Sequence, residues 1–228
     1  MSHALSGPAE SPARARVIAS SCLSGYSPFP LTDRPAPSPT TLAPEFEDFR
    51  RQFEQLAADA NALAGSLTDA QFTWQPGEGR WSIAQCLEHL NATARAYLPM
   101  LDEGIASAIR QGLYGEGPFH YSLLGRFLAR SMEPPPRFRV KAPRAFQPEP
   151  SRGRHDTLAA FRAYQVQHID RLRQANGLDL AHARVRSPAG YAWLRIPLGS
   201  AFALTTAHGR RHVWQARQVL EAPGFPRA

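Results

Sequence analysis

Leu204-Thr205-Thr206-Ala207-His208-Gly209-Arg210-Arg211-His212-Val213-Trp214-Gln215 is the stretch from which the rest of the chain is read. At about 100° per residue, Ala201, His208, His212, Gln215 and Val219 fall within roughly 40° of one another, so they form one helical stripe that faces a core. Two histidines four apart on a helix stand one above the other, close enough to bind one metal ion through their imidazole nitrogens. The pair needs a third ligand. The same H-x-x-x-H spacing also arises by chance in many helices, where the histidines are core or surface residues without a metal.

The helical period recurs in three more long segments. From Pro44 to Ala64, Phe46, Phe49, Phe53, Leu56, Ala60 and Leu63 recur at three- and four-residue steps. The second helix opens at Ser82, with Gln85 three residues on as a capping box and Trp81 before it as a staple. It runs to Arg110, bent but not ended by Pro99, because the apolar pattern resumes at Leu101. The third runs from Asp156 to Gln174 and ends at Asn176-Gly177. The fourth starts near Leu198 and stops before Pro223.

Between these helices the chain reads as connections. Phe72, Trp74 and Pro76, in the segment Thr68 to Gly79, are expected to pack over the bundle end. Residues 112–153 hold a short helix around Phe119 to Ala129 and then a Pro-rich stretch from Glu133 to Pro150. A connection this long lets neighbouring helices run parallel. A loop containing Ser187-Pro188-Ala189-Gly190 leads past Trp193 to Pro197. No strand pair is expected, and Arg137 to Lys141 is at most an isolated extended segment. The expected fold is all-α, a four-helix bundle over residues 44–222 with a long crossover between its second and third helices. A Pro/Ser/Ala-rich tail, 1–43, expected to be disordered, precedes it, and a short tail, 223–228, follows.

His89 lies near the start of the second helix, at the edge of the apolar face built by Ile83, Leu87, Leu90, Ala94, Leu98 and Leu101. Four helices arranged in this way allow His89, His208 and His212 to meet inside the bundle. Three imidazoles leave at least one coordination position for water or substrate, the pattern of a reactive metal site. Glu88 projects about 100° away from His89 and reads as a solvent-face charge, not as a ligand or base.

The segment Gly79-Arg80-Trp81-Ser82-Ile83-Ala84-Gln85-Cys86-Leu87-Glu88-His89-Leu90, with Trp74-Gln75-Pro76 upstream, resembles the second-helix segment of the DinB-like (YfiT-type) metalloenzyme family. Leu204 to Val219 resembles that family's fourth-helix segment. The resemblance covers roughly residues 45 to 222 and implies an up-down-down-up bundle with a divalent metal, zinc or nickel, held by His89, His208 and His212. It also implies a thiol S-transferase-like enzyme that activates a low-molecular-weight thiol or a water toward a small electrophile. Many relatives have no assigned activity, so a non-catalytic metal-binding or stress-related module stays open. The Pro-rich insertion departs from the family pattern near the substrate opening.

Other residues carry weaker readings. Gln85 and Gln215, one turn from the histidines, either orient a ligand or simply pack. His168 shares a stripe with Phe161, Gln165 and Leu172, as a hydrogen-bonded core-edge histidine or a fourth ligand. Cys86 reads as a buried inert thiol, Trp81 and Trp214 as packing, and Arg210 and Arg211 as a solvated face or an attractor of anions. His3, His120, His155 and His182 carry no role.

Composition excludes several classes. The formal charge of +7 and pI near 10.1 come almost wholly from arginine, with Lys141 the single lysine, scattered without a basic stripe or interleaved aromatics, so nucleic acid is not an expected partner. Two cysteines, Cys22 and Cys86, make no disulfide framework and fit a reducing, cytoplasmic setting. Val17 to Cys22 is too short to read as a lipoprotein signal, and no run reaches the ~20 apolar residues of a membrane span. A homodimer fits a bundle of this type, although no particular interface can be read.

Overall fold

The computed structural model describes residues 41–121, 123–136, 142–150, 153–188 and 194–227. The expectations for the tail up to residue 40, for Arg137 to Lys141 and for Trp193 lie outside the described residues. The helices are α1 (Pro44–Ala64), α2 (Asp69–Thr73), α3 (Ile83–Arg110), α4 (Leu123–Met132), α5 (Arg154–Ala175) and α6 (Leu198–Leu220). A 3-10 turn, Arg144–Phe146, precedes α5, and strands β1 (Arg184–Arg186) and β2 (Arg195–Pro197) pair antiparallel before α6.

Local chemistry sets the long helices. α1 starts on Pro44, whose missing N–H would be unpaired there anyway, with Glu45 and Glu47 in the first turn facing the positive end of the helix dipole. At the start of α3 both halves of the capping box form: Ser82 Oγ accepts from the Gln85 N–H at 3.1 Å, and Gln85 Oε1 accepts from the Ser82 N–H at 3.0 Å. The helix continues through Pro99 to Arg110.

α1 and α3 stand at opposite corners, each flanked by α5 and α6. Side-chain pairs give the directions. Asn176, past the end of α5, bonds to Thr41 and Ala43 at the start of α1, while Arg154 at the start of α5 bonds to Gly65 past the end of α1. These two helices are antiparallel. α5 runs parallel to α3, because Thr157 meets Glu88 and Arg171 meets Asp102. α6 runs parallel to α1, with Phe202 against Phe49 and Phe53, and Gly209 against Leu56. One core of phenylalanine and aliphatic side chains fills the space between them.

The structure corrects three details. First, a strand pair exists: Val185 of β1 lies on α3 against Gly104, where an added Cβ would come 2.8 Å from Val185 Cγ2 and 2.9 Å from the Arg184 carbonyl. Glycine lets the strand approach. Three-residue strands are too short to show a period of two. Second, α4 starts three to four residues later than expected, because Glu45 holds both the Phe119 N–H and the Tyr121 hydroxyl against α1. Third, the connection after α1 contains α2, with its own capping box at Thr68 and Phe72 fully buried. Among the described residues, no helix is long and apolar enough to cross a membrane.

Candidate metal centre

His89 lies seven residues past the α3 cap, and His208 and His212 lie mid-way along α6, so the packing of α3 on α6 brings all three together. One ring nitrogen from each lies within 4.8 Å of those of the other two. Ring centroids are 4.4 to 5.0 Å apart. His89 Nε2 and His208 Nε2 are separated by 3.2 Å. Two nitrogens at about 2.05 Å from a tetrahedral ion stand about 3.3 Å apart, so this edge of the triangle has the spacing that zinc requires.

Protonation fits the same reading. His89 Nδ1 donates to the Phe146 carbonyl at 2.5 Å, which places the proton on Nδ1 and leaves the Nε2 lone pair toward His208. A metal-binding histidine commonly gives its outer N–H to a carbonyl in this way. Burial lowers the pKa of His89, against the opposing pull of the Phe146 carbonyl. Burial first, then His89 and Arg211, push His208 down to about 3. His212 lies well below the ordinary imidazole range for the same reasons, with Gln215 pulling the other way. Three neutral imidazoles therefore meet at pH 7, the form in which histidine binds metal. His212 Nδ1 is buried with no hydrogen-bond partner, an orphan that coordination or a solvent molecule would satisfy.

Trp81 covers the cluster, with ring centroids 4.9 Å from His89 and 5.6 Å from His212. The staple position before the α3 cap thus forms a wall of the site. The Pro-rich insertion contributes the Phe146 carbonyl through its 3-10 turn, and the Phe146 ring stacks 6.4 Å from Tyr97. Sequence reading cannot find this partner, because a backbone carbonyl leaves no mark in residue identity.

A family profile described as the DinB superfamily matches residues 52–216. The chain belongs to the DinB superfamily. No curated protein and no solved structure matches it. In this DinB-superfamily chain the matched span contains His89, His208 and His212 together with all of α3 and most of α6.

The remaining expectations divide. Glu88 is not a solvent-face charge: it is 5% exposed and accepts from the Thr157 hydroxyl at 2.7 Å. α3 is packed by both α5 and α6, so its buried arc is wider than one apolar stripe implies. Gln85 is occupied by the α3 cap and by Gln75 Nε2 at 2.7 Å, so it orients no ligand, whereas Gln215 acts on His212. Cys86 is fully buried, and burial pushes its thiol far above the usual range, as expected of an inert thiol. Arg210 is engaged, bridging Glu133 at 2.9 Å and Gln52 at 2.7 Å. His168 stands outside the triad and is fully buried. His155 and His182 are exposed beside Asp156 and Asp179.

Proposed function

We propose that this DinB-superfamily chain binds one divalent metal, zinc or nickel, through His89, His208 and His212, and acts as a metal-dependent enzyme of thiol S-transferase type. The observation that carries the reading is the convergence of three neutral imidazoles within 4.8 Å, one of them already oriented by the Phe146 carbonyl. An all-imidazole set suits zinc and nickel better than magnesium or calcium, which take oxygen ligands. A bound ion would supply Lewis acidity, lowering the pKa of a thiol or water that reaches it.

The chain's own residues have definable parts. His89, His208 and His212 hold the ion, Trp81 keeps bulk water from one side, and the Arg211 charge, which already depresses both α6 histidines, favours an anion entering beside them. The proposed substrates are a low-molecular-weight thiol and a small electrophile.

One observation favours a second reading, a non-catalytic metal-stabilised bundle: His89 and His212 are only 3% and 8% exposed and lie beneath Trp81, as in a closed structural site. Two experiments separate the readings. Metal content by mass spectrometry, on protein purified without a His-tag or chelator, should be near one equivalent in the parent and largely lost in His89→Ala and His212→Ala. A parent that stays metal-free with both zinc and nickel ends the metal reading. In cobalt-substituted protein, the visible spectrum should change when a thiol is added; an unchanged spectrum favours the non-catalytic bundle.

A further inference from the structure

The cavity of about 20 Å³ beside His208 lies between α1, α3, α5 and α6, and its polar lining is His208, His168, Gln165, Thr93 and Thr205. Four of these side chains share one habit: each gives a hydrogen to the carbonyl four residues back on its own helix. Thr93 donates to His89, Thr205 to Ala201, Gln165 to Phe161 and His168 Nδ1 to Tyr164, at 2.7 to 3.2 Å. The two hydroxyls and His168 then have no hydrogen left, while Gln165 keeps its oxygen and its second N–H. The cavity is therefore lined mainly by lone pairs, and it suits an occupant that donates hydrogen bonds.

His168 makes the demand sharpest. Its ring stacks on Phe53 with centroids 4.8 Å apart, it is 1% exposed, and Nε2 is buried with no partner. A buried acceptor left in this state destabilises the fold, because it has lost its water without gaining a donor. Burial holds this ring at about 4, so it stays neutral and acts as an acceptor, not as a store for a proton. The space exceeds the roughly 10–15 Å³ that one water needs and is too small for a thiol.

His208 supplies the complementary group. Its Nε2 faces His89 Nε2, so in a metal-binding tautomer its hydrogen sits on Nδ1, for which the described residues offer no acceptor. We infer that one water molecule occupies this cavity, accepting from His208 Nδ1–H and donating to His168 Nε2, which makes His168 the positioning residue that keeps His208 Nε2 free for the metal. The second water hydrogen goes to Gln165 Oε1 or a threonine oxygen, which gives the water the three partners usual for a buried site. This water does for His208 what the Phe146 carbonyl does for His89.

The inference rests on His208 being a ligand, and its test reads the tautomer as well as the metal. Long-range proton–nitrogen NMR of the zinc-loaded protein should show His208 protonated at Nδ1, whereas in the metal-free protein its Nε2–H can donate to His89 Nε2 across the 3.2 Å contact. His168→Phe keeps the ring against Phe53 and removes the acceptor, and it should weaken zinc binding, measured by competition with a chromophoric chelator, roughly 10-fold. His168→Gln keeps an acceptor at similar reach and should stay within about 3-fold of the parent. Parent-like affinity in a folded His168→Phe variant, or a His208 without Nδ1–H in the zinc-loaded parent, overturns the inference. If His168→Phe does not fold, His168→Gln decides, since loss of the Nδ1–H tautomer in it would equally refute an acceptor-only requirement. A parent that takes no zinc defeats the metal reading, whereas a parent that takes zinc without the Nδ1–H tautomer of His208 defeats the water link alone.

Discussion

His168 and His208 make the fold sensitive to acid, with a sign that burial fixes. Both have folded pKa values below the ordinary 6.5, at about 4 and about 3. Above pH 6.5 both rings are neutral in folded and unfolded chains, and their full contribution is present. Below it the unfolded chain takes up protons that the folded chain refuses, so stability falls by about 1.4 kcal/mol per pH unit for each such histidine until the folded pKa is reached. Urea melts of the metal-free protein at pH 7, 6 and 5 should show this loss, and His168→Phe should reduce the slope by about one proton. A profile flat to pH 5 would mean that these imidazoles are open to bulk water in solution. At this scale the triad was legible because i,i+4 spacing and a helix stripe are written in residue identity. Glu88 was misread because its burial depends on where Thr157 of another helix falls, and the Phe146 carbonyl was invisible because any residue at that position has one.

Among the elements, α3 connects stability to the site. Its cap holds the N-terminus just after Trp81, whose ring covers His89 and His212. Ser82→Ala should therefore cost about 1 kcal/mol in denaturant unfolding, the usual value of a lost N-cap. It should also weaken zinc binding by letting Trp81 move. Unchanged affinity alongside the stability loss would show that Trp81 is placed by its own packing. At the other end of α3, Gly104→Ala gains up to about 1 kcal/mol of helix propensity but drives a Cβ into the Arg184 carbonyl, so a net loss of about 1–2 kcal/mol is expected. A stabilised variant would mean that β1 sits farther from α3 than described. The four long helices were readable from their apolar period and caps. α2 and the β1–β2 pair were not, since five- and three-residue elements carry too few positions for a period. Phe72 and Val185 fix them through contacts with distant parts of the chain.

For the whole molecule, part of the positive charge is met by local pairs. Arg50, Arg51, Arg95, Arg171, Arg173, Arg186 and Arg210 each meet a carboxylate. Such exposed pairs each contribute only about 0–1 kcal/mol, so they do not hold the bundle together. The core does, and the triad lies where α3 and α6 close it, so an ion held there would be coupled to folding. A ligand that binds only the folded state at 100 times its Kd adds about 2.7 kcal/mol. For a domain of this size, that corresponds to a rise in Tm of roughly 5–10 °C. Zinc added to metal-free protein should produce such a rise in calorimetry, and EDTA should reverse it. His212→Ala should show no rise, while His155→Ala, which alters an exposed histidine outside the cluster, should respond like the parent. An equal rise in the parent and His212→Ala would place the stabilising ion elsewhere on the molecule, and the centre between α3 and α6 would then be three core histidines without a metal.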